Sequence, residues 1–266
     1  MNAVPGSWDF YIVPHTHWDR EWYAPFEFFQ LKLAQVVDEL IDVLERDPTF
    51  DSFTLDGQAI VIEDYLEVRP ENETRLRSLL AAGRIEVGPS YILPDEFLVG
   101  AESLVRNLLI GRAVCQRFGA EPSDVGYLPD SFGHPLQLPQ VLAGFGLRSF
   151  IFSRGMGDQL DAVGVVFRWR APDGSEVLAL QQLADYGNFA SVRDAEDAER
   201  RIEGIVERFG SALERAGVRA VLLCNGTDHL PVMPNLPSLR SELEQRSDGS
   251  KFKIASYTGY VDAVGQ

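Results

Sequence analysis

Short apolar runs alternate along this chain with longer stretches of helical periodicity. "FYIVPH" (10–15) is an apolar run that stops at a proline, and it reads as a buried strand. Phe29, Leu33, Val36, Val37, Leu40, Ile41 and Leu44 then recur at helical spacing. "FDSFTLDG" (50–57) reads as a second strand with a loop at its end. "AIVIEDYLEV" and "ETRLRSLLAAG" read as two helices parted at Pro70. "RIEVGPS" (84–90) is a third strand, and "AESLVRNLLIGRAVCQRFG" (101–119) is a helix closed by glycine. "DVGYLPD" (124–130) and "LRSFIFSR" (147–154) supply the fourth and fifth strands. "VVFRWRAPDGSEVLALQQL" (165–183) carries Asp-Gly between apolar runs, which predicts a hairpin. A long helix is expected over about 192–216, then a buried strand in "VRAVLLCNG" (218–226). "KFKIASY" (251–257) is a further strand, followed by a short helix.

Strands alternating with helices imply an α/β fold, with a parallel sheet and helices outside it. Six or seven such units point to a barrel or a wide open sheet. Both architectures bind ligands beyond the carboxyl ends of their strands. The length fits one domain over residues 1–266.

Charge narrows the function classes. The formal net charge is -16, and phosphate binding needs the opposite sign, so no nucleic-acid partner is expected. An anionic membrane surface is disfavoured for the same reason. The sign suits a neutral or cationic ligand, or a metal cation, although much of it serves solubility. Cys115 and Cys224 stand alone, so they form neither a disulfide framework nor a CxxC metal site. "MNAVPGSWDF" has no basic region and no long apolar run, so no signal peptide is expected. No run approaches the roughly 20 apolar residues of a membrane span. The expectation is a soluble cytoplasmic protein, with a homo-oligomer left open.

The candidate chemistry lies where the predicted strands end. His15 and His17 follow the first strand, His134 follows the fourth, and His229 follows "AVLLCNG". In an extended segment residues two apart point the same way, so His15, His17 and Asp19 of "HTHWD" can face one side. Imidazoles and a carboxylate together suit zinc or a similar ion, with one histidine free to orient another ligand instead. The plainer alternative is a core histidine, with Asp19 capping a turn. "YLPDSFGHP" sets Asp130 at a strand end beside His134, as nucleophile, base, metal ligand or helix cap. "LLCNGTDHLP" releases Asp228 and His229 from a very apolar strand. Asp95 and Glu96 follow the third strand. Trp18, Trp22, Tyr23 and Tyr91 add aromatic surface of the kind sugars stack on, and Arg154 could hold a carboxylate or a hydroxyl.

At this point three segments carry a resemblance. "PHTHWDREW", "GPSYILPDE" and "LPDSFGHP" resemble, in order and spacing, the signatures of glycoside hydrolase family 38, the zinc-dependent α-mannosidases. The resemblance covers essentially the whole chain. It implies a seven-stranded β/α barrel, the N-terminal catalytic part of a longer enzyme. By the same resemblance, His17, Asp19 and Asp130 would bind zinc, and Asp130 would also be the covalent nucleophile. Asp228 would be the general acid/base. Trp22 would wall the sugar subsite with Tyr91 and Asp95 nearby, and Arg154 would contact the nucleophile. His15, His134 and His229 would support the site or add a ligand. The longer members complete the zinc site with a later histidine. The implied activity is retaining hydrolysis of terminal α-mannosides. Two other readings compete: a metal-dependent amide or phosphate hydrolase of the His-X-His barrel type, and a non-catalytic carbohydrate-binding domain.

Overall fold

The computed structural model describes residues 8–265. The expectation about a leader rests mainly on residues 1–7, which lie outside the described residues. The chain opens with β1 (Asp9–Pro14), α1 (Phe26–Arg46), β2 (Phe53–Gln58), α2 (Ile60–Val68), α3 (Glu73–Ala81), β3 (Ile85–Ser90) and α4 (Ala101–Arg117). It continues with β4 (Val125–Leu128), α5 (Leu138–Gly144), β5 (Ser149–Phe152), α6 (Leu160–Val163), β6 (Val166–Arg170) and β7 (Glu176–Gln181). α7 (Ala195–Arg215), β8 (Ala220–Asn225), α8 (Leu236–Arg246), β9 (Lys251–Ile254) and α9 (Tyr257–Val264) complete it.

Periodicity located the main elements for a physical reason: each pattern marks a buried face. The seven α1 positions named above are all buried, and β8 is buried along its whole length. A short 3-10 turn at Pro70–Asn72 separates α2 from α3, because proline cannot continue the helical hydrogen bonding. The hairpin falls at Asp173-Gly174, where Gly174 takes φ +90 and Asp173 accepts the Ser175 amide at 3.0 Å.

The strands are mostly parallel. β1 pairs with β8 and β9, β2 with β3, and β4 with β5, which pairs in turn with β7. β6 runs antiparallel to β7, as the Asp-Gly hairpin predicts, with residues 171–175 reversing the chain. Hydrogen bonding does not close one seven-stranded ring among the described residues. It divides the strands into sheets of three, two and four. A parallel bridge between His15 and Thr54 links the first sheet to the second. Among the described residues no helix is long and apolar enough to cross a membrane.

One glycine decides how closely β8 approaches β1. A Cβ on Gly226 would stand 1.8 Å from the His15 carbonyl oxygen, and both groups are backbone. Gly226→Ala must push apart the strand ends that carry His15, His17 and Asp228. We expect a loss of about 3 kcal/mol or more, at or above the usual range for an overpacked core. A denaturant midpoint equal to that of the parent would show that the two strands separate without cost.

Candidate active site

Past the carboxyl end of β1 the chain enters a half-open cavity of about 390 Å³. His17, Trp18, Asp19, Asp95 and Asp130 all line it. His17 Nε2 lies 3.8 Å from Asp19 Oδ1. A second parallel bridge, His17 to Asp228, brings the end of β8 alongside. One ligating atom from each of His17, Asp19 and Asp228 falls within 4.8 Å of the others. Donors around a tetrahedral zinc stand about 3.4 Å apart, as follows from bonds of about 2.1 Å. The three side chains therefore need only a small contraction to grip such an ion, and an imidazole with two carboxylates is a suitable donor set.

The electrostatics favour a cation. Burial alone would lower the His17 pKa, but Asp56, Asp19 and Asp228 outweigh it and push it up to about 9. Asp56 is fully buried. Its carboxylate accepts from the Trp18 amide at 2.9 Å, the Gly57 amide at 2.7 Å and Gln58 Nε2 at 2.8 Å, and it stands 3.5 Å from His17 Nδ1. Those bonds fix the carboxylate behind the ring, on the side away from Asp19. A carboxylate so placed orients the imidazole and raises its basicity as a ligand. Sequence reading missed Asp56. Its only signal was an acidic residue in the strand-end "LDG".

The other histidines take different places. His15 is on the same side as His17 but deeper, with Nε2 2.8 Å from the Tyr186 carbonyl. Burial lowers its pKa to about 4, so it is neutral. His229 lies behind Asp19: its Nε2 accepts the Asp19 amide at 3.1 Å and stands 3.5 Å from Asp19 Oδ2. Phe29 and Trp18 pack on its ring, and burial lowers its pKa. Burial raises the Asp19 pKa, against the pull of His17 and His229. His134 does not line this cavity; its Nδ1 stands 2.6 Å from Glu96 Oε2.

Asp130 is two residues beyond β4 and is not in the close donor group. Arg154 Nε donates to its Oδ1 at 2.5 Å. It is not a helix cap, since α5 begins only at Leu138. Asp228 Oδ1 accepts from the Tyr186 hydroxyl at 3.0 Å. Arg154 also stands close enough to Tyr186 to lower its pKa, so the order of neighbours is Asp228, Tyr186, Arg154, Asp130. Burial, then Asp228 and Asp130, raise the Tyr186 pKa, which keeps its hydroxyl protonated as a donor. Sequence reading did not single out Tyr186, which lies in a turn with no periodic signal. Neither Trp22 nor Tyr91 lines the cavity. Trp22 is 64% exposed and meets Tyr23 edge-on, while Tyr91 is half-buried against the core. Among the described residues, Trp18 and Phe132 supply the aromatic surface of the cavity wall.

A parallel α/β domain with carboxylates and a metal-type donor group at its strand ends has the layout of a carbohydrate-active or metal-assisted hydrolase. The profile described as "Glycosyl hydrolases family 38 N-terminal domain" matches residues 7–266, and the chain belongs to that family. A protein of Halalkalibacterium halodurans, provisionally named a mannosylglycerate hydrolase, is 37% identical over 264 residues, 96% of this chain and 29% of that protein. Human alpha-mannosidase 2C1 is 30% identical over 184 residues, 68% of this chain and 17% of its own length. The crystal structure of an alpha-mannosidase from Enterococcus faecalis V583 superposes with a TM-score of 0.87 at 35% identity, covering 97% of this chain and 29% of that one. The chain thus spans less than a third of the length of these relatives.

Proposed function

We propose that this chain is the catalytic domain of a retaining α-mannosidase. The observation that carries this reading is a strand-end cavity that Asp130 lines, held by Arg154, with Asp228 held by Tyr186 at the neighbouring strand end beside His17 and Asp19. Arg154 donates to Asp130 Oδ1 and holds the carboxylate in place, as an aimed nucleophile requires. Tyr186 holds Asp228. Asp130 attacks the anomeric carbon, and the bond to the aglycone oxygen breaks as Asp228 gives that oxygen its proton. Asp228 then takes a proton from water, whose oxygen attacks the same carbon and releases Asp130. His17 and Asp19, with Asp130, would hold zinc, which would leave Asp228 free to carry its proton and would supply a Lewis acid for sugar hydroxyls. The names of the relatives have mannose in common, which supports mannosides as the substrate class.

We read the three sheets as arcs of an interrupted seven-stranded barrel made by β1–β5, β7 and β8, and residues 1–266 as the N-terminal domain of a longer enzyme. Two free, buried cysteines fit a reducing cytoplasmic setting. The His-X-His hydrolase reading loses support, because one histidine of the four joins the donor group among the described residues. A fluorinated mannosyl fluoride tests the proposal. Mass spectrometry should find one sugar on the peptide that contains Asp130. Sugar affinity with no adduct and no turnover, metal supplied, would favour a binding domain instead.

A further inference from the structure

Three segments remote in sequence close into a ring beside Asp130. Ser131 Oγ donates to the Pro94 carbonyl at 2.8 Å. Two residues beyond Pro94, Glu96 Oε2 stands 2.6 Å from His134 Nδ1. His134 Nε2 stands 3.2 Å from the Arg154 carbonyl oxygen. The Arg154 guanidinium then returns to Asp130. The ring leaves little slack. Gly133 takes φ +146, and a Cβ there would meet Phe97 Cε2 at 2.7 Å. A Cβ on Gly155 would stand 3.2 Å from His134 Cδ2.

The proton count is fixed by the acceptor at one end. A carbonyl oxygen only accepts, so His134 Nε2 carries hydrogen. The short contact between Nδ1 and Glu96 Oε2 then holds one proton, and both polar ends of the imidazole are engaged. The Glu96 and His134 side chains are 0% and 6% exposed, and Phe150 and Phe152 close on the imidazole edge-on. Glu96 Oε1 has no hydrogen-bond partner. Burying such a pair is weak evidence for stability, because apolar residues of the same volume often serve a fold as well. The pair does what apolar residues would not: it ties the 94–96 segment to the main chain of the residue that holds Asp130.

We propose that Glu96 and His134 are positioning residues that fix the Arg154 main chain and, through its guanidinium, aim the Asp130 carboxylate into the cavity. This rests on the reading of Asp130 as nucleophile. The test uses the full chain with metal supplied and a nitrophenyl α-mannoside as substrate. It compares Glu96→Gln, Glu96→Ala and His134→Gln in kcat, in KM and in the NMR resonance of the Arg154 Nε–H. Displacement by a fraction of an ångström is enough to slow a positioned nucleophile, so Glu96→Ala should lower kcat on the order of 10- to 100-fold with KM little changed. The Arg154 resonance should move with it. Glu96→Gln keeps a donor for Nδ1 and should hold kcat within about threefold and the resonance in place. His134→Gln cannot reach both partners and should behave as Glu96→Ala, and it carries the test if that variant does not fold. Folded variants with unchanged kcat and an unmoved Arg154 resonance would overturn the proposal. A parent chain without turnover would count against the mannosidase reading alone, and the resonance shift would still decide whether the pair governs Arg154.

Discussion

Asp130→Ala is expected to lower the turnover of an α-mannoside by on the order of 10⁴-fold or more, as loss of a covalent nucleophile does elsewhere. Stability should barely change. The Asp130 and Arg154 side chains are 28% and 47% exposed, and an ion pair of that exposure contributes about 1 kcal/mol or less. Arg154 can turn to water when its partner is gone. The expected variant is therefore folded and inactive, which separates chemistry from architecture. Azide supplies a second reading of the same experiment. A small anion should occupy the space left by the carboxylate, attack the anomeric carbon from that face and restore part of the rate. The product would be the mannosyl azide of opposite anomeric configuration to the substrate. Full activity in the variant would mean that Asp130 only anchors Arg154, and the mechanism proposed above would have no nucleophile.

Much of this arrangement was legible in the chain because strands end where ligands bind. "HTHWD", "LPDSFGH" and "NGTDH" were picked out as strand-end segments, and they do lie at the ends of β1, β4 and β8. What alternation could not supply was depth. His15 and His17 face one side, as an extended segment requires, yet one is sealed against the Tyr186 carbonyl and the other meets Asp19. Nor could spacing say which carboxylate comes nearest His17. Asp56 does so, 3.5 Å from His17 Nδ1, and the bridge between His17 and the end of β8 brings in Asp228, 211 positions away. Asp56 and Tyr186 were missed for the same reason. Each acts through a partner distant in sequence, and neither sits in a recognisable motif. α8 was missed for a local reason. Its buried residues Leu236, Leu239 and Leu243 form a narrow stripe, and the prolines at 231, 234 and 237 read as loop. β6 shows the opposite case, where the Asp-Gly turn signal was strong enough to fix strand direction.

Asp19→Ala is expected to abolish metal retention. After dialysis the parent chain should hold one zinc, and the variant should hold none above background. The expectation follows from charge as much as from geometry. His17, Asp19 and Asp228 present their ligating atoms to one another with Asp56 behind them. Three carboxylates around one buried imidazole are stable together only if something positive joins them. Without metal a proton on His17 does so; a divalent cation does it with twice the charge. Removing the Asp19 carboxylate deletes a donor, while the backbone amide that holds His229 stays in place. The loss in affinity should exceed the roughly 10- to 100-fold that follows from removing an outer partner. Asp56→Asn should fall within that smaller range, because the amide keeps its place behind His17 but not its charge. Thermal melts check both without any substrate. Added zinc should raise the midpoint of the parent, raise it less in Asp56→Asn and leave Asp19→Ala unmoved, since a ligand stabilises only the fold that binds it. Equal zinc content in parent and Asp19→Ala would remove Asp19 from the donor set. No zinc in the parent, with a midpoint that added metal does not shift, would mean that these side chains satisfy one another by proton and hydrogen bond alone.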